Sequence, residues 1–373
     1  MTNKKYKLAL IVFLISVIFI SGCVSNEQTS DLNSKTAENK SDLPKENEES
    51  KEMKPELDEE KNSIIENETL EVPNDELNDT QVGSISNETK VEENEETIPT
   101  YSWKKGELAI EGKYADADII DLGNGRYRMY YSAEPEIQNF EGQVYSATSS
   151  DGINWENEGL RKTWATFPSV IKLDNGKYRM YFQNAGVIKS AISFDGLKWN
   201  DEDGTRIDTK NSEGLEFENV AAPTVMKIND EYLMVYRGTI NEKYPEMVPN
   251  NNMQLFLWAT SNDGLRFEKK GIALDSRNDL LKGLADGPEF VEWDDGEIRL
   301  YFWSYKGVFH LTFEDGTFSE PEFDYSTDPD SRKMFPENPP GDPTLMKINE
   351  KWFMYYGSHT KGIGYATLEQ DYN

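Results

Sequence analysis

Five stretches of the sequence repeat one pattern, and this pattern decides the fold. The first two are ADIIDLGNGRYRMYY at 117–131 and PSVIKLDNGKYRMYF at 168–182, which align without a gap. The other three are PTVMKINDEYLMVY at 223–236, PEFVEWDDGEIRLYF at 288–302 and PTLMKINEKWFMYY at 343–356. In each copy, an apolar run, a tight-turn pair such as Asn-Gly and a second run with alternating aromatic residues predict a β-hairpin. The chain therefore carries five related hairpins.

A second recurring element follows the hairpin in three of the copies. It reads ATSSDGINW at 147–155, AISFDGLKW at 191–199 and ATSNDGLRF at 259–267. A strand that ends in Ser-x-Asp-Gly and continues to an aromatic residue supplies a third strand, a turn and a fourth strand. Four antiparallel strands in each of five copies predict an all-β fold, a five-bladed β-propeller, over residues 101–373. A β-sandwich is the alternative, but it does not require its hairpins to share one sequence pattern.

The starts of three hairpins resemble a known group of enzymes. Asp116-Ala117-Asp118 opens the first hairpin, Asp286-Gly287-Pro288 the fourth and Asp342-Pro343-Thr344 the fifth, and residues 356–367 resemble a closing blade. Together they look like the five-bladed propeller of the arabinanase, levansucrase and invertase superfamily of glycoside hydrolases. The resemblance implies hydrolysis of glycosidic bonds by two carboxyl groups in the propeller hub. It assigns Asp116 as the general base and Asp286 as the general acid.

The chain departs from that superfamily at two positions. Ala222-Pro223 opens the third hairpin, where the family usually has an Asp that tunes the acid. Asp286 stands where the family often has a Glu, and its side chain is one methylene shorter. Glu289 and Glu218 are therefore candidates for a displaced acid. The main alternative function is a non-catalytic propeller that binds glycans or cell-surface partners. A structural surface-layer protein comes third, and it predicts a hub without clustered carboxylates.

Further candidates for substrate contacts lie near the predicted hub. A guanidinium group can bind a sugar hydroxyl or carboxylate, and aromatic side chains at the ends of second strands can stack on sugar rings. Carboxylates at strand starts and a histidine in the last copy complete the set. Strand-entry hydrogen bonds, structural ion pairs and packing between blades are the other roles open to these residues. The candidates are Asp118, Tyr131, Arg237, Trp303, Asp342, Tyr356 and His359.

The N-terminal residues predict where the protein acts. Residues 1–22 are typical of a signal peptide, because a lysine-rich start precedes an apolar run at 8–20 that is short for a transmembrane helix. The tetrapeptide at 20–23 resembles a lipoprotein box, which implies a lipid on Cys23. An ordinary signal peptide or an anchor helix, with a chance cysteine, is the alternative. We expect an exported protein that is lipid-anchored at the outer face of the cell membrane.

Composition limits the partners of the protein. Residues 23–100 are acidic and almost free of aromatic side chains, so they predict a disordered tether. The formal net charge of −30 opposes nucleic-acid binding and favours a neutral oligo- or polysaccharide. The one cysteine lies at position 23 and the chain has two histidines, so the sequence predicts no metal and no cofactor. We expect a monomer.

Overall fold

The strands of the computed structural model form five antiparallel sheets. The structure describes residues 100–133, 142–210, 214–245, 252–328, 339–358 and 360–371. Within these ranges no helix is long and apolar enough to span a membrane. The strands are β1 Thr100–Glu111, β2 Tyr114–Gly123, β3 Arg126–Ala133, β4 Gln143–Ser149, β5 Glu156–Thr163, β6 Thr166–Lys172, β7 Tyr178–Asn184, β8 Val187–Ser193, β9 Asn200–Asp201, β10 Phe217–Ile228, β11 Glu231–Ile240, β12 Gln254–Ser261, β13 Glu268–Leu274, β14 Asp286–Glu292, β15 Ile298–Ser304, β16 Gly307–Glu314, β17 Thr317–Phe318, β18 Glu322–Tyr325, β19 Gly341–Ile348, β20 Lys351–Gly357 and β21 Gly362–Asp371.

Each sheet is one blade, and the chain builds the blades in order. Strands β2 to β5 form the first blade, β6 to β9 the second and β10 to β13 the third. Strands β14 to β17 form the fourth, in which β18 also pairs with β16. Strands β19 to β21 form the fifth together with β1, which pairs antiparallel with β21 and places Thr100 opposite Asp371. The first strand thus closes the ring, and the predicted five-bladed propeller is confirmed.

The turn between the two innermost strands of a blade explains the Asn-Gly and Asn-Asp pairs in the repeats. Asn124 and Gly125 have φ values of 56° and 66°, and Asn229 and Asp230 have values of 48° and 68°. Two successive residues with positive φ form the hairpin turn whose twist matches that of the flanking strands. Asn, Asp and Gly adopt this conformation at low cost. The pair therefore sets the register of the hairpin.

A repeated hydrogen bond joins some blades to the next. The hydroxyl of Tyr130 donates to the Gly196 carbonyl at 2.8 Å, and that of Tyr181 donates to the Gly264 carbonyl at 2.9 Å. Both glycines belong to the Ser-x-Asp-Gly turn of the following blade. The third blade has Val235 at the position of these tyrosines, and the Ser-x-Asp-Gly sequence is missing from the fourth blade. The hydrogen bond from the third blade to the fourth therefore lacks both its donor and its acceptor.

The innermost strand of every blade carries a β-bulge at the same position. In each blade the register between the first and second strands shifts across this point. The residue at the bulge has a φ value between 44° and 58°, a conformation that costs free energy for residues other than glycine. Such strain is concentrated at functional sites, which makes this ring of positions the place to look for one. The five residues are Asp116, Phe167, Ala222, Gly287 and Asp342.

We expect Gly287→Ala to lower the free energy of unfolding by more than about 2 kcal/mol. A Cβ atom on Gly287 would lie 2.6 Å from the Cα atom of Asp342, a backbone contact that no side-chain rotation relieves. Gly176→Ala is the matched control, because its φ of 79° is also left-handed but a Cβ there meets nothing within 4 Å. The control should lose only about 1 kcal/mol. Urea unfolding measures both values, and equal losses of unfolding free energy in the two variants would contradict the predicted clash.

Candidate active site

The five bulges surround a small cavity at one end of the hub. Its volume is about 30 Å³. Proline rings, alanines and one phenylalanine form most of its wall, and three carboxyl groups supply the charge. Carboxyl groups held among apolar walls are those whose pKa values shift most. The lining residues are Asp116, Ala117, Phe167, Pro168, Ala222, Pro223, Gly287, Pro288, Glu289, Asp342 and Pro343.

Asp116 and Asp342 come from the first and fifth blades and form a carboxyl pair. Their side chains hydrogen-bond to each other, which requires a proton on one of the two. Burial raises the pKa of Asp116 to about 6, and the charge of Asp286 adds to the rise. Burial and the charge of Asp116 raise the pKa of Asp342 well above its ordinary value. The pair therefore keeps a proton at a pH where an ordinary aspartate is ionised.

Two neighbouring side chains hold the pair in place. The indole Nε1 of Trp303 donates to Oδ1 of Asp342 at 3.2 Å. Ser132 hydrogen-bonds to Asp116, and its hydroxyl also accepts the backbone N–H of Phe167 at 2.9 Å. Ser132 and Trp303 occupy the same position in the second strands of their blades, each opposite the residue that precedes the bulge. The propeller repeat thus supplies an orienting group to each carboxyl.

Asp286 has a different environment from the pair. It forms an ion pair with Arg237 of the third blade, and its Oδ1 accepts the backbone N–H of Gly287 at 2.8 Å. The Asp286 and Arg237 side chains are only 9% and 12% exposed, so bulk water screens the attraction little. The Arg237 guanidinium also lies 5.2 Å from the ring centre of Phe167. The Arg237 guanidinium and the backbone N–H of Gly287 therefore hold the Asp286 carboxyl group in place.

A second ring of polar side chains lies two residues beyond the bulges. Asp118 accepts the N–H of Val170 from the next blade at 3.0 Å. The hydroxyls of Thr224 and Thr344 each donate to the Glu289 carboxyl group at 3.3 Å. Burial raises the pKa of Asp118 to about 8, and burial together with the charge of Asp118 raises that of Glu289 well above its ordinary value. This ring ties neighbouring blades together beneath the cavity.

We expect Asp118→Asn to reduce the pH dependence of stability. Because the pKa of Asp118 is about 8 in the folded protein and about 3.9 in an unfolded chain, the folded state binds the proton more tightly. This stabilisation is complete below about pH 4 and is lost as the pH rises through 8. The variant should be more stable than the wild type at pH 8 by at least about 1 kcal/mol. Urea unfolding at pH 5 and pH 8 measures this difference. The same change in the free energy of unfolding between the two pH values in both proteins would contradict the prediction.

The structure separates the residues predicted from sequence. Tyr131 and Tyr356 are buried in apolar cores between blades, away from the cavity wall. Glu218 is exposed at the start of β10, where its carboxylate accepts the Asn252 amide at 2.6 Å. His359 and Cys23 lie outside the described residues. The hub brings together Asp116, Asp118, Arg237, Asp286, Glu289, Trp303 and Asp342.

Sequence reasoning missed Phe167 and Ser132. Phe167 lines the cavity and has a φ of 51°. The sequence feature that could have identified Phe167 is its position directly before Pro168, which corresponds to the position of Asp342 before Pro343 in the fifth copy. Ser132 follows the aromatic run of the first copy as Arg237 follows that of the third. Aligning the repeats one residue beyond their ends identifies both.

Comparisons with known proteins agree with this architecture. No known protein family and no curated protein matches the sequence. An α-L-arabinofuranosidase from Podospora anserina in complex with cellotriose is similar in structure, with a TM-score of 0.51 and 13% identity over 72% of this chain and 97% of its own. A family 117 glycoside hydrolase from Zobellia galactanivorans has a TM-score of 0.50 and 13% identity over 73% of this chain and 90% of its own. A thermostable family 43 glycoside hydrolase has a TM-score of 0.50 and 15% identity over 72% and 93%. This chain therefore has the propeller fold of these glycoside hydrolases.

Proposed function

We propose that this protein hydrolyses glycosidic bonds at the hub of its propeller. The observation that carries the proposal is the contrast between two carboxyl environments. The Asp116–Asp342 pair holds a proton, whereas Asp286 is ion-paired with Arg237. Glycoside hydrolysis needs one carboxyl group that protonates the leaving oxygen and another that is ionised. Both environments lie in the hub, since Gly287, the neighbour of Asp286, lines the same cavity as Asp116 and Asp342.

The contacts favour a division of roles opposite to the one that the family resemblance implies. In our proposal the Asp116–Asp342 pair donates its proton to the glycosidic oxygen while the bond to the anomeric carbon breaks. The Asp286 carboxylate takes a proton from the attacking water or itself bonds to the anomeric carbon until water displaces it. Arg237 holds Asp286 through their ion pair, and Trp303 orients Asp342.

A neutral glycan is the substrate class that we propose. The similar structures are those of glycoside hydrolases, one of them an arabinofuranosidase with cellotriose bound. An apolar wall with a few converging polar groups suits a sugar ring. The net charge of −30 opposes a polyanionic substrate.

Hydrolysis of a panel of sugars tests this function. We expect release of nitrophenol from at least one aryl glycoside, or of reducing ends from arabinan, xylan, mannan or cello-oligosaccharides. Proton NMR of the first product gives the anomeric configuration. If no substrate is cleaved but a glycan-containing gel retards the protein, the chain is a glycan-binding propeller. Absence of both results would remove carbohydrate as the ligand.

We also propose that the protein is exported and held at the outer face of the membrane by a lipid on Cys23. The support is the apolar run at 8–20 and the tetrapeptide that ends at Cys23. Growth with an alkyne-labelled fatty acid should label the wild type and leave Cys23→Ser unlabelled. Equal labelling of the two proteins would contradict the assignment.

A further inference from the structure

Trp164 is an exposed aromatic residue at the cavity end of the propeller. It lies in the connection between β5 of the first blade and β6 of the second, and it is 56% exposed. Its neighbour Ala165 is almost completely buried, so the exposure belongs to Trp164 and not to the whole connection. Single exposed hydrophobic side chains are common at protein surfaces, so it is the backbone and the position of Trp164 that distinguish it.

The backbone at Trp164 is held in a conformation that bulky residues avoid. Its φ is 57°, in the left-handed region, which is unfavourable for tryptophan. Its N–H donates to the Gly142 carbonyl at 2.9 Å, and its carbonyl accepts the Asn184 amide at 2.8 Å. Gly142 and Asn184 belong to different blades. These two hydrogen bonds hold the backbone on both sides of Trp164. They therefore stabilise the left-handed conformation that leaves the indole exposed.

The position of Trp164 links it to the hub. Three residues later the chain reaches Phe167, which also has a positive φ and lines the cavity. Both residues lie at the end of the propeller where the innermost strands begin. Phe167 contacts the Arg237 guanidinium that pairs with Asp286. One short segment of chain therefore carries an aromatic side chain at the cavity, Phe167, and another at the rim between the first two blades, Trp164.

We propose that Trp164 is a stacking platform for a sugar unit beyond the bond that is cleaved. The substrate is then an oligo- or polysaccharide that extends from the hub over the rim of the first and second blades. Indole faces stack well on sugar rings because both surfaces are broad and apolar. This inference rests on the proposed function and adds to it the length of the substrate and the direction in which it leaves the hub.

Comparison of Trp164→Ala with the wild type on short and long substrates tests the proposal. The probes are para-nitrophenyl glycosides and the arabino-, xylo-, manno- and cello-oligosaccharides of the same sugars. We expect kcat/KM for the oligosaccharide to fall about tenfold further than kcat/KM for the aryl glycoside, mainly through KM. Trp164→Phe should recover part of the loss. Phe194→Ala is the matched control, since Phe194 is 74% exposed at the opposite end of the second blade and should leave both values unchanged.

Gel retardation in arabinan, xylan, mannan and soluble cellulose separates this inference from the proposed function. Loss of retardation in Trp164→Ala supports the platform even if no substrate is cleaved. Equal retardation of wild type and variant overturns the platform and leaves the hydrolase proposal standing. The platform is equally overturned if the wild type is not retarded by any of these glycans, or if Trp164→Ala lowers both kcat/KM values by the same factor.

Discussion

Asp116→Asn should hydrolyse glycosides about 1000-fold more slowly than the wild type, as expected for loss of acid catalysis. An amide at this position cannot supply the proton that the Asp116–Asp342 pair shares. Asparagine tolerates the left-handed backbone of Asp116, which has a φ of 53°, so the bulge should persist. Initial rates on the best substrate of the panel measure the effect, and an unchanged urea midpoint shows that the fold is intact.

Two further variants make this result specific. Asp342→Asn removes the other half of the pair and should cause a loss of similar size. Asp121→Asn is the control on the same strand, because Asp121 is exposed and accepts the N–H of Gly123. It should keep wild-type activity. If Asp116→Asn retained more than about a tenth of the activity, the pair would not be the proton donor.

Arg237→Met should lower the free energy of unfolding by about 3 to 5 kcal/mol and abolish activity. The substitution leaves the Asp286 carboxylate buried without its cation, and an uncompensated buried charge is costly. Methionine fills a similar volume, so lost packing contributes little. The urea-unfolding midpoint and slope measure the loss at neutral pH.

Two controls separate charge from packing in this result. Arg277→Met should cost less than about 1 kcal/mol, because Arg277 and its partner Asp275 are 34% and 44% exposed and such surface pairs contribute little. The double variant Arg237→Met with Asp286→Leu removes both charges and should recover most of the lost stability. It should remain inactive, because it lacks the Asp286 side chain that the proposed reaction uses. A double variant no more stable than the single one would show that packing, not the unpaired charge, dominates.

The propeller could be predicted from the sequence because its determinants are local. Alternation of apolar and polar side chains, and Asn-Gly or Asp-Gly turns, specify a hairpin within about 15 residues, and five similar hairpins specify a ring. No comparable signal exists for β1, which completes the fifth blade from the other end of the domain. Its pairing with β21 is a contact between the two ends of the domain, and no repeat pattern identifies it.

The candidate site was predicted only in part, for a related reason. Asp116, Asp286 and Asp342 were found because each stands at the start of a repeat. Their protonation depends on neighbours in other blades, such as Arg237 for Asp286, and no local pattern encodes those contacts. Tyr131 and Tyr356 follow the same aromatic pattern as their neighbours, but strand alternation turns them into the cores between blades.

The closure of the ring by β1 determines how the domain bears a mechanical load. The chain that precedes Thr100 enters at the outermost strand of the fifth blade, and Thr100 pairs with Asp371 near the opposite terminus. A pull on that segment therefore acts first on the hydrogen bonds between β1 and β21, which join the two ends of the domain without a covalent link. The place where the chain enters the ring is therefore also the place where the ring is closed.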